Sequence, residues 1–113
     1  MKETEITIKV KLDDNNIPEH ISWSAPDGGM LDESSKAMLL SFWDSKKKET
    51  LKMDLWTKEM PVDEMKTFTL QTFLSMKQSI LKATGEENLV NLIDDFCIEF
   101  EKRILINLNS IFI

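Results

Sequence analysis

Leu51-Lys52-Met53-Asp54-Leu55-Trp56-Thr57-Lys58-Glu59-Met60-Pro61-Val62-Asp63-Glu64-Met65-Lys66 holds the switch on which the fold turns. Its first six residues alternate, with Leu51, Met53 and Leu55 set against Lys52, Asp54 and Trp56. A period of two describes a strand with one buried and one wet face. Past the corner at Thr57–Met60 the period changes. Pro61 is preorganised for the first helical position, and Asp63 and Glu64 complement the helix dipole there. Val62, Met65, Thr69, Phe73, Met76, Ile80 and Ala83 then recur at three- and four-residue spacing.

Upstream of this stretch the chain reads as strands. Ile6, Ile8, Val10 and Leu12 alternate with Thr7, Lys9 and Lys11, and Asp13-Asp14-Asn15-Asn16 closes that run in a turn. A second strand carries Ile21 and Trp23 on one face and His20, Ser22 and Ser24 on the other. Pro26-Asp27-Gly28-Gly29 opens a loop to about Ser35. The third strand is apolar on both faces: Ala37, Leu39 and Trp43 on one, Met38, Leu40 and Phe42 on the other. The polar turn Ser45–Glu49 leads into the fourth strand, Leu51–Trp56.

Downstream, the first helix is apolar over much of its surface, Gly85 stops it, and Thr84 with Glu87 offers a capping box for the next. The second helix aligns Leu89, Leu92, Ile93, Phe96, Phe100 and Ile104. The reading is one α+β domain over residues 1–113. A four-stranded antiparallel sheet, meander or Greek key, spans about 4–13, 17–25, 36–44 and 50–57. Two C-terminal helices, about 61–83 and 86–105, pack on the face carrying Ile6, Ile8, Val10, Trp23, Leu51 and Met53. Trp23 and Trp43 are predicted to be largely buried, and Phe96 to belong to the core.

A chain of 113 residues, 42% hydrophobic and 30% charged, has the balance of one globular domain. Its net charge of −6 disfavours nucleic acid and anionic lipid as partners. No apolar run is long enough to span a bilayer, and Met1–Ile6 has no apolar leader core. With Cys97 alone, no internal disulfide forms, which suits a reducing compartment. The expected location is the cytoplasm.

Chemistry is sparse. His20 is the one histidine, on the polar face of its strand, and tyrosine is absent. A serine or cysteine nucleophile activated by histidine would depend on that one residue. Zinc sites of His and Cys lack ligands, and the three glycines, Gly28, Gly29 and Gly85, make no phosphate-binding loop. Asp13-Asp14-Asn15-Asn16 lacks the spacing of a calcium loop. Asp94-Asp95 and Asp63-Glu64 point about 100° apart as helical neighbours and do not converge. The expectation is no enzyme, no catalytic residue, no cofactor and no metal.

Several segments resemble the gliding-motility GldC family. They are Leu12-Asp13-Asp14-Asn15-Asn16-Ile17-Pro18-Glu19 leading to Ile21-Ser22-Trp23-Ser24-Ala25, Ser35-Lys36-Ala37 through Leu40-Ser41-Phe42-Trp43-Asp44, the opening stretch Leu51–Lys66, Ala83-Thr84-Gly85-Glu86, and Asp95-Phe96-Cys97. The resemblance runs in order over about residues 5 to 97. It implies a soluble protein of gliding Bacteroidetes, acting beside the gliding and associated secretion machinery, with no catalytic residues assigned. From about Leu105 the tail is more apolar than the end associated with that family. The functional reading is a non-enzymatic adaptor working through protein contacts. The alternative is a holdase chaperone, since strands followed by two helices are similar in element order to the export chaperone SecB.

One surface stands out. Met38, Leu40 and Phe42 face out if Leu39 and Trp43 face the core, and Trp56 on the fourth strand can join them. Such a patch invites a homodimer. The competing cover is the apolar tail Ile111-Phe112-Ile113 folded back within one chain.

Overall fold

The structure is a computed structural model; it describes the backbone of residues 1–112 and the side chains of residues 1–105. The chain falls into two compact units, Met1–Met60 and Pro61–Ile113. The first holds the strands, the second the two α-helices.

The strand unit holds two antiparallel sheets in place of the single four-stranded sheet expected. β1 (Thr7–Leu12), β2 (Pro18–Ala25) and β3 (Met30–Ser35) form one in the order β1-β2-β3. β4 (Ala37–Asp44) and β5 (Glu49–Trp56) form the other. The extra strand, β3, lies in the stretch expected to be loop. A 3-10 turn at Pro26–Gly28 and Gly29 at φ 77° reverse the chain into it.

β1 and β2 pair as their alternation requires. Ile8 faces Trp23 and Val10 faces Ile21 on one side, while Lys9 faces Ser22 and Lys11 faces His20 on the other. Ile21, 1% exposed, is the centre of this small core. The turn between the strands is built on Asp13. Its Oδ1 accepts the N–H groups of Asn15 (2.7 Å) and Ile17 (2.9 Å), and Asn16 takes a left-handed φ of 62°.

β3 runs almost directly into β4, with only Lys36 between. At Lys36 the partner strand changes. Ser35 pairs with Ile21 of β2, whereas Ala37 pairs with Trp56 of β5. The Lys36 carbonyl accepts both the N–H (2.9 Å) and the hydroxyl (2.7 Å) of Thr57, and the Thr57 side chain is 4% exposed. The N–H of Lys58 donates to the Pro18 carbonyl at 3.2 Å, tying the end of β5 to the start of β2.

In the helical unit, α1 spans Val62–Thr84 and α2 spans Glu87–Phe112. Pro61 caps α1 and does not occupy its first turn, with φ −70° and ψ 152°. Gly85 ends α1 at φ 68°, its N–H donating to the Leu81 carbonyl at 2.8 Å. The Thr84 hydroxyl accepts the Glu86 N–H at 3.1 Å, one residue short of the expected Glu87 box. The helices pack antiparallel. Phe73 meets Phe96 edge-on at 5.2 Å and Phe100 at 5.5 Å, and Lys77 Nζ bridges Asp94 at 2.5 Å.

Several residues predicted to be covered are open. Ile6, Trp43, Leu51, Met53 and Phe96 are exposed. Trp23 is half-buried. Cys97 is buried, as its place in α2 suggested.

Candidate functional site

The candidate surface divides between the two faces of the β4–β5 hairpin. The register pairs Met38 with Leu55, Leu40 with Met53, and Phe42 with Leu51. Directly opposed residues share a face, so these six apolar side chains form one ladder without a charge. Phe42 is 61% exposed, Leu51 53% and Met53 54%, while Met38, Leu40 and Leu55 are half-buried. An apolar hollow lies among Leu40, Phe42, Leu51 and Met53, with Lys52 at its margin.

Trp56 does not join this ladder. It pairs with Ala37 on the opposite face, beside Asp54 opposite Leu39 and Lys52 opposite Ser41. Its indole N–H donates to Asp54 Oδ2 at 2.8 Å. That bond, followed by the charge of Lys52 3.4 Å from Asp54 Oδ1, holds the Asp54 carboxyl below the usual carboxylate range. Trp56 is thus half-buried and polar-anchored, on a mixed face.

The reason is the bend at Lys36 and the loop that follows β4. Ser35 and Met38, three residues apart, line one apolar cavity with Ile6, Ile8, Ile21 and Trp23. In an unbroken strand they would point to opposite sides. The bend resets the alternation, so the apolar face of the three-stranded sheet continues through Met38 into the ladder.

A polar cleft occupies the junction of the two sheets, lined by Glu19, His20, Ser34, Ser35, Lys36, Thr57 and Glu59. This is where His20 lies, exposed on the strand face expected for it. Close by, Lys58 Nζ bridges Asp13 Oδ2 and stands 3.5 Å from Glu19 Oε1. Asp13 is held below the ordinary carboxylate range, first by the Lys58 bond and then by the Ile17 N–H. Lys58 is raised in turn, chiefly by Asp13. Both oxygens of Asp13 are engaged by the turn and by Lys58, as a structural role requires.

The helical unit carries a second apolar cleft, which the sequence reading treated as core. Phe73 and Met76 of α1 line it with Leu92, Ile93 and Phe96 of α2. Leu92 is 67% exposed and Met76 58%. The signal was present in the sequence as an apolar stripe broader than one helix–helix seam needs.

Among the described residues no helix is long and apolar enough to cross a membrane, and no group of three or more His, Cys, Asp or Glu is placed to hold a metal. The tail Ile111-Phe112-Ile113 lies outside the residues whose side chains are described.

Searches of curated proteins and of solved structures found no significant match. The family model described as gliding motility-associated protein GldC-like matches residues 18–106. That span includes the strand pairings at Lys36, the ladder and the helical cleft, and the chain belongs to the GldC-like family of gliding motility-associated proteins.

Proposed function

We propose that this protein is a cytoplasmic, non-enzymatic adaptor of gliding motility and its associated secretion machinery, acting through protein–protein contacts. The observation that carries the reading is the open apolar cleft between α1 and α2. Leu92, Met76 and Phe96 stand more than half exposed in it, beside the half-buried Phe73 and Ile93. Methionine and aromatic side chains in a groove between helices suit an inserted apolar segment of a partner protein.

Leu92→Glu tests this in a gliding host. Leu92 is already wet, so the substitution leaves folding intact, which circular dichroism of the purified variant checks. The expected result is loss of gliding with the protein at normal abundance. Unimpaired gliding with a folded Leu92→Glu protein would overturn the assignment of this cleft. His20→Ala is expected to leave gliding unchanged. An adaptor of this kind does not suppress aggregation of unrelated unfolded clients, which separates it from a holdase.

A further inference from the structure

We draw no further inference here: the strongest candidate, the apolar ladder on one face of the β4–β5 hairpin, carries nothing because nothing in the structure shows what covers it.

Discussion

Thr57 shows how much of the strand unit hangs on single groups. Its N–H and hydroxyl both bond the Lys36 carbonyl at the point where β5 takes over from β2. Thr57→Val keeps the shape and the N–H bond but loses the hydroxyl bond. The expected cost is about 1 kcal/mol in urea unfolding, since the carbonyl retains one donor. Asp13 is the second such residue. Its lowered pKa means that the folded state favours the carboxylate. The resulting stabilisation is present above the unfolded value of about 3.9 and lost as pH falls through the lower folded one. Lys58, raised, contributes below its unfolded value of about 10.4 and loses that contribution as pH climbs past the folded value. A carbon-detected titration is expected to place the Asp13 midpoint below that of free aspartate, and Lys58→Met to move it upward. An unmoved midpoint would remove Lys58 as the first cause. Neither group was legible as a pair, because Asp13 and Lys58 are brought together only by the ends of β1 and β5.

At the scale of elements, β1, β2, α1 and α2 were legible because their apolar residues recur at strand or helix spacing. The Ile8–Trp23 and Val10–Ile21 pairs follow from simple alternation. β3 was not legible: Met30-Leu31-Asp32-Glu33-Ser34-Ser35 has acids and serines where alternation would show. Backbone bonds to β2 make it a strand, with side-chain support such as the Asp32 N–H bond to Ser24 Oγ at 3.0 Å. The face of Trp56 relative to β4 was hidden in the loop. Asp44 pairs with Glu49, so four residues close the hairpin, and every even position of β4 meets an odd one of β5. Asp44 stabilises that length by accepting the N–H groups of Lys46 (3.0 Å) and Lys47 (3.2 Å). Within the helical unit, Phe73 touches both Phe96 and Phe100, while Phe96 is half in water. Phe73→Ala is therefore expected to cost about 2–4 kcal/mol in denaturant unfolding. Phe96→Ala, with part of its surface already wet, is expected to cost about 1–2 kcal/mol. Equal losses would show that the two rings share the packing evenly.

For the whole molecule, the sequence marked apolar faces without marking which of their residues are buried. Trp43, Leu51, Met53 and Phe96 read as interior because apolar residues at strand and helix spacing are usually interior. Periodicity identifies a face to be covered but says nothing about whether the covering surface belongs to the same chain. Ile21, Cys97 and Thr57 are the residues buried most completely among those described. Leu92 and Met76 of the helical cleft are among the apolar residues left open, and the proposed function assigns that cleft to a partner of the gliding machinery.

That the open cleft between α1 and α2 is the surface through which this GldC-like protein works is tested most directly by gliding of a host that carries Leu92→Glu beside one that carries Trp43→Glu, which is exposed outside that cleft. The predicted result is gliding lost with Leu92→Glu and kept with Trp43→Glu, both proteins folded and at normal abundance. Gliding kept with a folded Leu92→Glu protein would contradict the account.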